Sequence, residues 1–453
     1  MCGIIGIYDH EKAAEMTMLG LFAEQHRGQE SCGMAVIDHK TIRWHKQMGL
    51  VKEVFTPEKI RELTGKIAIG HVRYPTRGAS SVFNSQPHIV ETLFGPSYAL
   101  ASNGDVINYN QIREELESNS VYFVSNNDGE LILKYIVYHV ERKNYNIIDA
   151  IRLLMRNVKG AFSTVLATKT SLFIFRDPYA MRPLSFGKTK NGSIAVASEK
   201  PALDILNMDW IQEVKPAEII KVSADGIEHF IDDPDKYRVQ RNNRHCIFEH
   251  IYFSRPDSII YDENVYEVRR KIGRQLAIND SISPDVVVPV PDSSNFIALG
   301  YAEEKKIPFE LGLIRNHYVG RTFIKPEQTI RDESVYQKFN VLPNFFTDKT
   351  IVLIDDSIVR GTTIRKLVKM IKRAGARDVH LRIGSPPVRF SCYFGIDTPT
   401  REELIANNMT IEEIRDYVGA DSLQYLEMNC LAKTVSKPGE YCYACFDGNY
   451  PQM

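Results

Sequence analysis

The sequence predicts two domains of different class, an α+β domain of many short strands followed by an α/β domain with a parallel sheet. Three observations predict this. The 453 residues exceed what one hydrophobic core usually supports. The first half carries short apolar runs separated by Gly- and Asn-rich turns. The second half alternates β-branched runs with helical stripes, the pattern of a parallel sheet.

In order along the chain, Gly3-Ile4-Ile5-Gly6-Ile7-Tyr8 predicts a buried strand, as do Ile67 to Val72 and Leu172 to Phe175. Asn103-Gly104, after Tyr98-Ala99-Leu100-Ala101, predicts a turn. Leu131 to Val140 predicts a buried helix. The composition turns polar from Ile231-Asp232-Asp233-Pro234, which places the domain boundary within 232–245, between a domain of residues 2–235 and one of residues 246–453. Beyond it, Asp285 to Val290 predicts a strand that ends at Pro291-Asp292-Ser293-Ser294, with a helix after it. Ile351 to Ile354 predicts a second strand. Ile364, Leu367, Val368 and Ile371 form the stripe of an amphipathic helix, Gly375 caps it, and Val379, Leu381 and Ile383 open the next strand.

A net charge of −1 gives no global pull toward nucleic acid or an anionic membrane, so any anionic ligand must be held by local groups. No apolar run approaches the roughly 18 residues of a membrane span, and the N-terminus lacks a basic segment followed by an apolar stretch, so secretion is not expected. Seven scattered cysteines are too few for a disulfide scaffold, so a reducing, cytoplasmic setting is expected.

The most specific motif is Ile351-Val352-Leu353-Ile354-Asp355-Asp356-Ser357-Ile358-Val359-Arg360-Gly361-Thr362-Thr363. A buried strand delivers two carboxylates to the carboxyl edge of the sheet, where ligands bind in open α/β folds. Ser357, Gly361, Thr362 and Thr363 then lead into a helix N-terminus whose N–H groups and hydroxyls can cradle a phosphate. The carboxylates would grip ribose hydroxyls directly or through Mg²⁺. The run resembles the ribose-5-phosphate loop of type I phosphoribosyltransferases. That resemblance implies a parallel α/β domain, with Asp292, Ser293, Arg321, Asp355, Asp356, Ser357, Arg360, Gly361, Thr362 and Thr363 around phosphoribosyl diphosphate. Within that set it implies that Ser293, Asp355 and Asp356 hold Mg²⁺. The polar connection from Leu313 to Pro326, with Arg331, Lys338 and Asn340 after it, would close as a lid over the leaving pyrophosphate.

Cys2 becomes a special residue once Met1 is removed, because a free α-amine with a pKa near ~7.7–8.0 can take the thiol proton. Cys2-Gly3-Ile4-Ile5-Gly6, His26-Arg27-Gly28-Gln29-Glu30-Ser31, His71-Val72-Arg73-Tyr74-Pro75-Thr76 and Asn103-Gly104-Asp105 together resemble class II glutamine amidotransferases. These are N-terminal nucleophile hydrolases with an αββα sandwich. The resemblance implies Cys2 as nucleophile, Asn103 and the Gly104 backbone as oxyanion hole, Arg73 on the glutamine carboxylate and Asp128 on its α-amine. Arg27 reads as a supporting residue.

With Arg176-Asp177-Pro178-Tyr179, Arg182-Pro183-Leu184, Ala197-Ser198-Glu199 and Ala420-Asp421-Ser422-Leu423 added, the chain resembles the glutamine phosphoribosylpyrophosphate amidotransferase family from Cys2 to about Pro451. The family reaction turns glutamine, phosphoribosyl diphosphate and water into phosphoribosylamine, glutamate and pyrophosphate, committing activated ribose to purine synthesis. The resemblance further implies internal ammonia transfer, a homotetramer and inhibition by purine nucleotides. Three positions depart from the family pattern: Ala180-Met181 in place of Gly-Ile, Ser102 before Asn103, and Asn127-Asp128-Gly129-Glu130 in place of Ser-Asp-Thr-Glu.

Cys246, Cys392, Cys442 and Cys445 suit an iron–sulfur cluster or Zn²⁺, and spacing does not separate the two. Their contexts, Arg-His-Cys-Ile-Phe-Glu, Ser-Cys-Tyr-Phe-Gly and Cys-Tyr-Ala-Cys, resemble the family branch that carries a 4Fe–4S cluster, which implies these four as its ligands. Cys32 and Cys430 read as small buried hydrophobes.

Overall fold

The computed structural model describes residues 1–75, 77–231, 243–318 and 335–451. The first half is two antiparallel sheets lying face to face. One has seven strands in the order Trp210–Glu213, Ser185–Lys188, Ile194–Ala197, Gly3–Tyr8, Ile67–Arg73, Ser31–Ile37, Ile42–Met48. The other has six, in the order Gly226–Phe230, Ile219–Ser223, Leu172–Arg176, Gly160–Ala167, Gly95–Val106, His88–Thr92. Strand alternation sets which side chains meet. In Gly3–Tyr8, Ile4 enters the core between the sheets with Ile69, Val165 and Ile174. Ile5 and Ile7 point the other way, toward Leu21 of helix Ala13–Ala23 and Leu203 of helix Lys200–Ile205. Helices Tyr109–Ser118, Asp128–Lys143 and Ile147–Asn157 cover the outer face of the six-stranded sheet. The layers run helix, sheet, sheet, helix, as expected.

The turn expected at Asn103-Gly104 is not there. Gly95–Val106 is one continuous strand, with Asn103 opposite Ser163 and Gly104 opposite Phe162. The neighbouring strand continues the ladder as far as Val106, so nothing folds back at this dipeptide. Gly104 serves close approach instead, since a Cβ there would lie 1.8 Å from the Ala161 carbonyl oxygen.

The second half has a four-stranded parallel sheet, Val286–Pro289, Thr350–Asp355, Asp378–Ile383 and Ser422–Tyr425. Val287, Val352 and Ile354 face helices Val265–Ile278 and Asn295–Lys305. Ile351, Leu353 and Ile383 face helices Thr362–Arg373 and Ile411–Val418. Gly375, at φ +94°, follows the end of Thr362–Arg373, as the sequence suggests. The base of the expected lid is a short antiparallel pair, Leu313–Arg315 with Phe339–Val341. Arg321, Arg331 and the Val319–Pro326 part of that connection lie outside the described residues, as do Thr76 and most of the expected domain boundary.

The halves share buried contacts. Met1, Ala161 and Met181 belong to one apolar core with Phe248, Ile251, Ile297 and Phe394. The Arg182 guanidinium donates to the Phe394 carbonyl, and the Tyr261 hydroxyl donates to the Met181 carbonyl at 2.8 Å. Ala180, where the resemblance led to an expectation of Gly, sits at φ +48°. Gly takes that conformation without steric cost, whereas Ala pays roughly 1–2 kcal/mol. Among the described residues, no helix is long and apolar enough to cross a membrane.

Candidate functional site

The strands Gly3–Tyr8, Ile67–Arg73 and Gly95–Val106 bring three parts of the sequence together around Cys2. Cys2 is buried at the start of the first, and its Sγ lies 3.6 Å from the Tyr74 carbonyl oxygen. The Cys2 backbone N–H donates to Asn103 Oδ1 at 3.0 Å. With its oxygen used in this way, Asn103 presents Nδ2 as a buried donor that has no partner. An orphaned buried donor is costly and points to a missing acceptor. Burial raises the Cys2 thiol above its ordinary value, while the N-terminal amine, a backbone hydrogen bond at Tyr74 and Arg73 pull it down.

Arg73 and Asp128 also act on the Cys2 charge, so the expected glutamine-binding pair stands around the thiol. Arg73 is already engaged, by Glu30 and by the Arg77 carbonyl at 2.8 Å. A ligand carboxylate would share that guanidinium rather than find it vacant. Asp128 opens helix Asp128–Lys143 and is 4% exposed. Burial, with the Asp105 charge behind it, pushes its carboxyl up to about 7 against the pull of Arg77. The unusual residues beside it have structural roles. Asn127 caps the helix by accepting from the Gly129 N–H at 2.9 Å. Gly129 leaves room, since a Cβ would lie 2.8 Å from Gln86 Oε1.

Arg27 supports the pocket as the sequence suggests. Its Nε donates to the Cys2 carbonyl at 2.9 Å, and its two terminal nitrogens reach Glu199 at 2.5 Å and Glu249 at 2.9 Å. Sequence reading missed Glu30, Glu199 and Glu249 as partners. Only a buried arginine needing a counter-charge signals them, and it does not say which carboxylate supplies it.

The second site forms where Thr350–Asp355 meets the loop after Val286–Pro289. Ser293 Oγ donates to Asp356 Oδ2 at 2.5 Å, Ser357 Oγ donates to Asp356 Oδ1 at 2.6 Å, and Ser294 Oγ donates to Asp355 Oδ1 at 3.3 Å. Burial and then the Asp356 charge hold the Asp355 carboxyl well above the usual carboxylate range, and burial raises Asp356 as well. The charge of Arg269 pulls against this at Asp356. Gly361 caps helix Thr362–Arg373 at φ +76°, and a Cβ there would lie 2.9 Å from Ile405 Cδ1. Thr362 and Thr363 are exposed in the first turn of that helix, and Arg360 is exposed with Nε 3.2 Å from Glu403. Asp292 reaches away to Arg315 at 2.7 Å.

Cys246 and Cys442 are directly opposite each other on a short parallel pair, His245–Cys246 with Tyr441–Cys442. Together with Cys392 and Cys445 they line one cavity, beside Arg182, Phe394 and Tyr450. Burial pushes the Cys246 thiol up to about 11 and Cys442 up to about 12. Among the described residues, no group of three or more His, Cys, Asp or Glu is spaced to hold a metal ion. Cys32 and Cys430 are buried among apolar side chains.

Comparison with known proteins finds a domain family in each half. Residues 81–205 match the glutamine amidotransferase domain family, and residues 258–384 match the phosphoribosyl transferase domain family. The chain is 44% identical to amidophosphoribosyltransferase 1, chloroplastic, of Arabidopsis thaliana, over 99% of this chain and 78% of that one. It is 43% identical to amidophosphoribosyltransferase of Methanocaldococcus jannaschii, over 100% of this chain and 98% of that one. Among solved structures it resembles glutamine phosphoribosylpyrophosphate amidotransferase from B. subtilis complexed with ADP and GMP, with TM-score 0.90, 40% identity and coverage of 99% and 97%. Two domain types on one chain, and likeness that runs the length of both halves, lead to one conclusion: the chain belongs to the amidophosphoribosyltransferase family.

Proposed function

We propose that Cys2, freed of Met1, hydrolyses glutamine, and that the released ammonia displaces pyrophosphate from phosphoribosyl diphosphate held at Asp355 and Asp356. The orphaned Asn103 Nδ2 beside Cys2 carries this reading. Cys2 Sγ attacks the glutamine carboxamide carbon while the α-amine accepts the thiol proton. Asn103 Nδ2 and the Gly104 N–H donate to the oxyanion. The C–N bond breaks, ammonia leaves with the proton from the α-amine, and water hydrolyses the thioester to glutamate. Arg73 holds the substrate carboxylate and Asp128 its ammonium.

Neutral ammonia then crosses the apolar core that both halves share. It attacks the anomeric carbon of the phosphoribosyl group, the C–O bond to pyrophosphate breaks, and the attacking nitrogen loses a proton. Ser357, Gly361, Thr362 and Thr363 would hold the 5-phosphate, while Asp292, Ser293, Arg360 and Arg321 would attend the rest of the ligand. The oxygen donors of Ser293, Asp355 and Asp356 fit Mg²⁺, a cation that would neutralise the leaving pyrophosphate when bound.

Asp128 gives the glutaminase half a pH signature. Its carboxyl must be ionised to hold an ammonium, and in the free enzyme it sits at about 7. The charged form is therefore lost as pH falls through that value. The expected result is that kcat/KM for glutamine drops about tenfold per unit below pH 7, a limb that Asp128→Asn removes along with most of the affinity. A profile flat between about pH 5.5 and 7.5, a range that reaches about 1.5 units below that pKa, would exclude Asp128 from this role.

Four soft thiols lining one cavity have the donor chemistry of a 4Fe–4S cluster, which would tie the domain junction at Cys246 to the C-terminal Cys442 and Cys445. Protein purified without oxygen should contain iron and sulfide in equal amounts, and Cys445→Ser should lose both. Zinc without sulfide would replace this assignment. The likeness to a structure complexed with ADP and GMP supports purine nucleotides as ligands of this chain, with inhibition as their expected effect. Homotetramer assembly and a cytoplasmic setting, where the seven cysteines stay reduced, complete the proposal.

A further inference from the structure

Gln86 stands where the ladder beside the nucleophile runs out. His88–Thr92 pairs with Gly95–Val106 as far as His88 opposite Leu100, and the same register would set Gln86 against Ser102. The strand begins only at His88, so no paired strand remains there to take the Ser102 N–H and carbonyl. Ser102 is buried, and buried backbone groups require partners.

The side chain of Gln86 takes the place of the missing rung. Its Oε1 accepts from the Ser102 N–H at 2.8 Å, and its Nε2 donates to the Ser102 carbonyl at 3.2 Å. One amide thus copies both bonds of an antiparallel pair. Burial, then the Arg73 charge, hold His71 well below its ordinary value, and its neutral ring adds Nε2 to the same carbonyl at 3.2 Å. Gln86 is itself fixed. It is 2% exposed, Lys46 Nζ donates to the Ser85 carbonyl before it at 2.7 Å, and a Cβ on Gly33 would lie 2.2 Å from the Gln86 carbonyl oxygen.

The residue that Gln86 holds is the one before Asn103, whose Nδ2 is the orphaned donor beside Cys2. Gly104 comes next. Phe162, opposite Gly104, bonds Asp177 through both its N–H at 3.1 Å and its carbonyl at 2.8 Å. Gly104 therefore turns its own N–H away from that strand, to the side that Ser102 faces. Both donors assigned to the oxyanion hang on the segment that Gln86 grips.

We propose that Gln86 is a positioning residue for glutamine hydrolysis, its side-chain amide clamping the Ser102 backbone and so setting Asn103 Nδ2 and the Gly104 N–H where the oxyanion forms. A misplacement of roughly 1 Å can lower a rate about 10²-fold, so the clamp matters without any large movement. The inference deepens the reading of Asn103 as an oxyanion donor and rests on it.

The test separates acyl transfer from thiol reactivity. Glutamine hydrolysis builds an oxyanion, whereas iodoacetamide alkylates the Cys2 thiolate by losing iodide from a methylene carbon and builds none. Gln86→Met has a similar length and no amide. It should lower kcat for glutamine hydrolysis by about 10²-fold, the scale of one lost oxyanion donor, with KM unchanged. Alkylation of Cys2, read by peptide mass, and synthesis from free ammonia should keep their unmutated rates. Gln86→Asn retains an amide but is one methylene short of Ser102, so it should give the same pattern even if the Met variant fails to fold. An unchanged kcat in a folded variant overturns the proposal, as does a change confined to KM. Hydrolysis and alkylation falling together, or two variants that both fail to fold, mark a merely structural role and overturn it as well. Failure of the underlying reading looks different, because glutamine hydrolysis would then survive Asn103→Ala.

Discussion

Cys2→Ala is expected to lower glutamine-dependent synthesis by at least about 10³-fold, roughly 4 kcal/mol of transition-state stabilisation, while synthesis from free ammonia continues. The split follows from the division of labour between the halves. Nothing at Asp355 or Asp356 depends on the thiol, whereas the orphaned Asn103 Nδ2 stands beside Cys2. The same pattern is expected of any chain that keeps Met1. Cys2 N is then an amide whose lone pair is delocalised, and it donates to Asn103 Oδ1 instead of accepting a proton. Met1 itself is fully buried in the core shared by both halves. Intact mass and glutamine activity, measured on one preparation, check this. Full activity from a chain that retains Met1 would remove the α-amine from the mechanism.

Asp355→Asn should do the opposite. Synthesis from either nitrogen source should fall by about 10²–10³-fold, the scale of losing one electrostatic contact to a developing charge. Cys2 should still release glutamate. The substitution carries a second, less obvious consequence. The folded Asp355 carboxyl lies well above its ordinary value, so the folded state binds more protons than the unfolded chain between the two. Stability therefore falls as pH rises through that window, and the ionised pair is a cost at neutral pH. Asn removes the cost, so the variant should melt higher at pH 7, and that gain should vanish as pH falls below the unfolded pKa near 3.8. Melting curves without divalent cation at pH 7 and at low pH read this directly. A lower melting temperature at pH 7 would show that the acids support the fold rather than strain it.

The phosphoribosyl loop was legible because its chemistry is local. One strand carries Asp355 and Asp356 to the sheet edge, and Gly361 takes the positive φ that starts the next helix. The layered strands were legible for the same reason, since Ile4 and Ile5 sort to opposite faces by alternation alone. Asn103-Gly104 misled because its dipeptide preference is weak beside a ladder that runs through to Val106. What remained hidden is long-range pairing. Arg27 announces a need for counter-charge, but its partner Glu249 lies 222 positions away. Ser294 beside Asp355 was equally unmarked, since only the folded meeting of two loops sets its hydroxyl there. Ala180 gave a sign without a cause: the departure from Gly was visible, but its positive φ was not.

Glutamate and pyrophosphate, measured together in one reaction with glutamine and phosphoribosyl diphosphate, test most directly whether the two sites share one ammonia. Equal amounts of the two products throughout turnover, with both lost in Cys2→Ala, are the expected result. Steady glutamate release with no pyrophosphate would contradict it, because Cys2 would then be feeding ammonia to some acceptor other than the one bound at Asp355 and Asp356.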